Sequence, residues 1–268
     1  MKKGFMLLLL LISPLLFLTS PQVHAALQEK PVDYTSGDTT LKGYLVWNDA
    51  IKGKRPGVLV VHEFWGLNDY ARKRARMLAQ LGYTALAVDM YGDGKIGEHP
   101  REASEFMNAV LSHADIAKAR FVAGKTLLEQ QPTVDSKKIA AIGYCFGGGT
   151  VLMMARAGVD LRGVVSFHGM LHTDAPAQPG QVKVRILVEN GADDAMVKPE
   201  DIVAFKHEMD AAGVNYQFDN LAGAKHSFTN PDADTLAKKY DLPIGYNAAA
   251  DQKSWQAMQK FFKEIFAG

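Results

Sequence analysis

Apolar residues along this chain fall in short compact runs, separated by longer amphipathic stretches. Residues 57–62, 85–88, 139–142, 163–167 and 184–188 are such runs. Runs of this length without alternation suit parallel strands buried on both faces. Residues 40–47 alternate instead, as a strand at a partly exposed edge would. Residues 68–81 place Ala71, Ala75, Leu78 and Leu81 near a 3.6-residue period, with Arg72, Lys73, Arg74 and Arg76 elsewhere. Residues 100–131 are long enough for two helices or one bent helix. Residues 199–212 and 251–266 complete the helical set, and Pro199 suits a first turn because its missing amide hydrogen is not needed there. Phe261, Phe262 and Trp255 are expected to dock the last helix on the sheet. Strands alternating with helices, without repeats or a Pro/Ser-rich linker, predict an α/β fold.

Residues 1–25 break this pattern. Lys2 and Lys3 precede an apolar stretch over 7–18, and Val23-His24-Ala25 offers small residues for cleavage before Ala26. This reads as a secretory signal. The stretch is short and interrupted by Pro14, which argues against a membrane anchor. The expectation is an exported protein, periplasmic or secreted, with residues 26–268 as a single domain and no stable membrane insertion after cleavage. Cleavage would remove Lys2 and Lys3 and no acid, so 30 basic side chains become 28 against 29 acidic, a formal net charge of −1. That balance does not fit a nucleic-acid partner.

The only cysteine, Cys145, sits in Gly143-Tyr144-Cys145-Phe146-Gly147-Gly148. An apolar strand-like run precedes it and a small-residue helix start follows. Strand, glycine-flanked turn and helix make the context of a nucleophile elbow, in which a β-carbon beside the nucleophile would collide with the crossing elements. A thiol ionises more readily than the usual serine hydroxyl. A lone cysteine cannot form an internal disulfide, and its presence in an exported chain suggests a use.

Such a nucleophile needs a base, an orienting acid and an oxyanion site, with the partners in the order nucleophile, acid, histidine. The loop after the 184–188 run holds Asp193 and Asp194. Asp194 fits a Gly-x-x-Asp-x-x-Val spacing closed by Val197, with Asp193 as its rival. His226 follows in a later loop behind Gly223, whereas His207 lies in a helical pattern and reads as a surface residue. The backbone amides of Phe64 and Phe146 are the oxyanion candidates. Glu63 either bonds to its own loop or lies by the thiol, where its charge would favour the neutral sulfur. Trp65, Tyr91, Phe146 and His168 either line an apolar pocket or are packing residues. Residues 230–250 either shape the pocket mouth or dock as a surface excursion.

These residues resemble the dienelactone hydrolase family of α/β-hydrolases, from about Val32 to Phe266. The carriers are His62-Glu63-Phe64-Trp65-Gly66-Leu67-Asn68, Asp89-Met90-Tyr91-Gly92, the Cys145 elbow, Gly191-Ala192-Asp193-Asp194 and His226-Ser227-Phe228. The resemblance implies an α/β-hydrolase fold, with a mostly parallel sheet and helices on both faces. It implies a Cys145-Asp194-His226 triad, a glutamate at Glu63, and hydrolysis of an ester or lactone through a thioester without metal or cofactor. The partner would be a small-molecule ester or lactone. An arginine that follows the triad histidine in the namesake enzymes and holds a substrate carboxylate is missing, because this stretch reads Thr229-Asn230-Pro231. A non-catalytic binding protein on the same fold, and an acyltransferase with the same triad, are the alternatives. A metal enzyme is disfavoured because His62-Glu63 lacks the second histidine of His-Glu-x-x-His.

Overall fold

The computed structural model describes Met1 and residues 27–267. The expected signal segment therefore lies, apart from Met1, outside the described residues. Eight strands form one sheet in the order β1-β2-β4-β3-β5-β6-β7-β8. They are β1 (Leu27–Ser36), β2 (Thr39–Asn48), β3 (Arg55–Val61), β4 (Thr84–Val88), β5 (Val134–Tyr144), β6 (Gly163–Phe167), β7 (Arg185–Gly191) and β8 (Tyr216–Leu221). β1 and β2 pair antiparallel, as do β2 and β4. From β4 across to β8 every pairing is parallel. The compact runs became these central strands because each is covered on both faces.

Seven described helices connect and cover the sheet: α1 (Asp69–Gln80), α2 (Pro100–Leu111), α3 (Ala114–Glu129), α4 (Phe146–Arg156), α5 (Pro199–Ala211), α6 (Ala233–Tyr240) and α7 (Ala248–Phe266). α1 and α7 cover one face, packing Ala75, Leu78, Met258, Phe261 and Phe262 against Val58, Val60 and Ile142. On the other face Phe121 and Leu128 of α3, Val151 of α4 and Phe205 of α5 pack with Leu59, Ala141 and Ile186. Phe261 and Phe262 are buried as expected of docking residues, while Trp255 is partly buried at the margin of the same cluster.

One element departs from the sequence reading, and two open alternatives are resolved. The alternating segment is not the edge: β2 is hydrogen-bonded on both sides, and β1 takes the outer place. Pro31 is tolerated in β1 because that strand pairs on one side only. The 100–131 stretch forms two helices, broken at Ser112-His113. Residues 230–250 are not a plain connection, since they contain α6 and return beside the site.

Candidate active site

β5 ends at Tyr144 and α4 begins at Phe146, so one residue makes the whole turn. That residue, Cys145, has φ 54° and ψ −116°. A β-carbon on Gly143 would meet the Gly147 carbonyl, and one on Gly147 would meet the Val61 carbonyl. Both glycines are therefore required by contact. Gly147 N–H donates to the His62 carbonyl at 3.1 Å, tying the elbow to the loop after β3. Cys145 is a free, partly exposed thiol.

The loop after β7 brings Asp194, not Asp193, to the histidine. His226 Nδ1 lies 2.8 Å from Asp194 Oδ2, while Met196 N–H donates to Asp194 Oδ1 at 2.8 Å. His226 and Asp194 are buried and Asp193 is exposed. Gly191 permits this approach, because a β-carbon there would strike the Ala224 carbonyl at the start of the histidine loop. His226 Nε2 has no hydrogen-bond partner among the described residues, and the ring lines the same cavity as Cys145. Burial disfavours a charged ring, but the Cys145 sulfur and Asp194 outweigh it and raise the His226 pKa to about 10.

Phe64 and Phe146 also line this cavity. Neither amide N–H has a protein acceptor among the described residues. The Phe64 peptide is fixed by Tyr91, whose hydroxyl donates to the Phe64 carbonyl at 2.8 Å. Glu63 is fully enclosed but makes no hydrogen bond to Cys145. Its oxygens accept from Ser227 Oγ at 2.9 Å and Asn230 Nδ2 at 2.6 Å. Burial pushes its carboxyl pKa up, against these two hydrogen bonds and the pull of His226. Glu63 therefore sits against Ser227 and Asn230 on the imidazole side of the site, a place the loop reading had not given it.

A second buried network supports the elbow from behind. Cys145 N–H is shared between the Phe167 carbonyl and His168 Nδ1, each at 3.0 Å. With Nδ1 accepting, the proton sits on Nε2 and donates to Thr229 Oγ1 at 2.7 Å. Burial first, then the neighbouring His226 and Arg74 charges, hold His168 well below the usual histidine range, so it stays neutral. Thr229 Oγ1 meets the Tyr70 hydroxyl at 2.6 Å, and Arg74 bonds to Tyr70, to the Thr229 carbonyl and to Asp251 at 2.6 Å.

The cavity in front of Cys145 holds about 460 Å³. Of the aromatic candidates only Phe146 lines it. Trp65 packs on Phe64 and Tyr240, Tyr91 on His62 and Phe146, and His168 lies under the elbow. Leu242, Pro243 and Ile244 form part of its wall, so the 230–250 segment does reach the mouth.

The model of the dienelactone hydrolase family matches residues 41–266. The chain belongs to that family. It is 38% identical to a dienelactone hydrolase-like promiscuous phosphotriesterase from metagenomic libraries, over 90% of this chain and 99% of that one, with a TM-score of 0.82. A structure designated m3DLH is 39% identical with the same two coverages and a TM-score of 0.84. A protein of Saccharolobus solfataricus, provisionally named carboxymethylenebutenolidase, is 26% identical over 276 residues, covering 88% of this chain and 99% of the relative. This member of the dienelactone hydrolase family is thus an α/β-hydrolase acting on ester bonds, with a small-molecule ester or lactone as substrate class.

Within the family frame, the Asp89-Met90-Tyr91-Gly92 segment has a structural explanation. Asp89 accepts from the amides of Lys42, Tyr91, Gly92 and Gly94 at 2.8–3.0 Å, which folds the loop after β4. The residues missed by sequence reasoning are Thr229, Tyr70, Arg74 and Asp251, with His168 assigned no such role. Tyr70 and Arg74 share α1 while the others come from separate segments, and no local spacing in the chain marks them as a set.

Proposed function

We propose that this enzyme hydrolyses its ester or lactone through a thioester on Cys145, with His226 as proton carrier and Asp194 as its orienting acid. The observation that carries the reading is the meeting at one cavity of a left-handed elbow cysteine, a histidine with a free Nε2 and a buried carboxylate on its Nδ1. The raised His226 pKa supports a resting imidazolium beside the sulfur. The thiolate attacks the carbonyl carbon, and the developing oxyanion is met by the Phe64 and Phe146 amides. When the tetrahedral adduct collapses, the C–O bond breaks and Nε2–H protonates the leaving oxygen. The neutral imidazole then takes a proton from water as that water attacks the thioester. Collapse expels the thiolate and leaves the proton on His226, restoring the starting pair. Asp194 holds the tautomer throughout. Backbone donors suit the oxyanion role because they are fixed before the charge appears.

Site substitution tests this assignment. Cys145→Ala is expected to abolish p-nitrophenyl ester turnover, and iodoacetamide is expected to do the same to the wild type. Asp194→Asn should lower kcat by about 10³–10⁴-fold, by analogy with loss of a triad acid. Asp193→Asn should stay within about twofold, as expected of an exposed side chain away from the reacting atoms. Full activity of Cys145→Ala, or equal loss in the two aspartate variants, would sink the assignment.

A further inference from the structure

The cavity at Cys145 is walled largely by apolar side chains, and Arg156 is the one lining residue with a fixed charge. That guanidinium is already committed. Nε and Nη2 donate to the two Glu208 oxygens at 2.8 and 2.9 Å, and Nη2 also donates to the Leu171 carbonyl at 3.1 Å. Both side chains are more than nine-tenths buried, so water screens the pair only in part. Glu208 is itself fixed by Ala177 N–H at 2.7 Å. At the mouth, His172 is surrounded by acids, 3.4 Å from Asp174 and 3.8 Å from Asp201. Apart from the His226 imidazolium, which is matched by the Cys145 sulfur, an incoming carboxylate finds no uncommitted cation on these walls.

The rim carries the same signature. Leu111, Met170 and Met196 line the cavity and are 44%, 39% and 42% exposed, among the largest apolar side chains left open to solvent. Apolar surface at a cavity mouth, continuous with apolar walls, marks where a ligand's apolar body lies. Methionines adapt their shape, which suits chains of varied outline.

We propose that the substrate is an uncharged ester with an extended apolar acyl group, and that the Arg156–Glu208 pair keeps the pocket neutral and so rejects acyl chains ending in a carboxylate. This rests on the thioester reading above only for the position of the reacting carbon. A carboxylate entering the pocket would have to lose its water and compete with Glu208 for Arg156. Neither cost is met by a matched contact.

A matched pair of substrates tests it: p-nitrophenyl hexanoate against mono-p-nitrophenyl adipate, which has equal length but a terminal carboxylate, both at pH 8. The wild type should favour the hexanoate in kcat/KM by about 100-fold. Glu208→Gln, which leaves Arg156 unneutralised, should narrow that ratio about tenfold. A wild-type ratio below about 10 would overturn the proposal. Cys145→Ala run on the hexanoate keeps the two readings apart: turnover in that variant would fail the nucleophile assignment, while the wild-type ratio still decides the pocket.

Discussion

The left-handed backbone of Cys145 is held by contacts that each involve one or two atoms. Its amide is pinned by Phe167 and His168, and its flanking glycines fill spaces no side chain could enter. His168 itself has φ 39°, its N–H donating to the Glu189 carbonyl at 2.8 Å and its ring held by Thr229. Removing that acceptor should be felt through the elbow. Thr229→Val keeps the shape but strands His168 Nε2–H and leaves the Tyr70 hydroxyl with Arg74 alone. It should cost about 1–3 kcal/mol in urea unfolding, the usual penalty for stranding buried polar groups. No change in stability would show that the chain of contacts from His168 to Arg74 is idle. At this scale the proposed reacting residues were legible, because the Cys145 elbow, Asp194 and His226 each left a local spacing in the chain. The Arg74 network was not, because a buried arginine shielded by Tyr70, Tyr144 and Trp255 looks in sequence like one of several charges on an exposed helix face.

At the scale of elements, the strand ends carry the chemistry and the sheet sets their order. β5, β7 and β8 deliver Cys145, Asp194 and His226 to the same end of the sheet because they run parallel. The compact apolar runs announced those strands, and the periods of α1 and α7 announced the helices. β1 left no such mark, since it is half exposed and carries Glu29, Lys30, Pro31 and Asp33. α6 was hidden because eight residues give too few turns for a period to stand out. One element-level feature carries its own test. Glu189 on β7 is buried in register with Asp219 on β8, and neither of its oxygens has a hydrogen-bond partner among the described residues. Burial, then Asp219, raises its pKa to about 9. A carboxyl that is neutral in the fold but ionised in the open chain lowers stability progressively as pH rises from about 4 to about 9. Glu189→Gln should therefore be more stable than wild type at pH 8, by about 1–3 kcal/mol, with the gap closing near pH 4. A gap that is constant across pH would show that the carboxyl is ionised in the fold.

For the molecule as a whole, the sheet, the elbow and the family likeness converge on an ester-bond hydrolase. Among the described residues no helix is long and apolar enough to cross a membrane. The pH response should carry the signature of the Cys145–His226 pair. Because the folded pKa of His226 is raised to about 10, its stabilising contribution is fully present below its unfolded pKa of about 6.5 and is lost as pH rises through about 10. Acylation uses the same proton, so kcat/KM should fall on an alkaline limb near pH 10 in the wild type. Asp194→Asn removes one of the groups that raise the pKa and should move that limb to lower pH. A limb that stays put would separate Asp194 from the imidazole. The most direct measurement is intact-protein mass spectrometry on a p-nitrophenyl hexanoate reaction quenched in acid within the first turnovers. The account predicts a hexanoyl adduct that maps to the peptide containing Cys145 and is released by hydroxylamine. An adduct on another residue, or steady release of p-nitrophenol by Cys145→Ala, would contradict it.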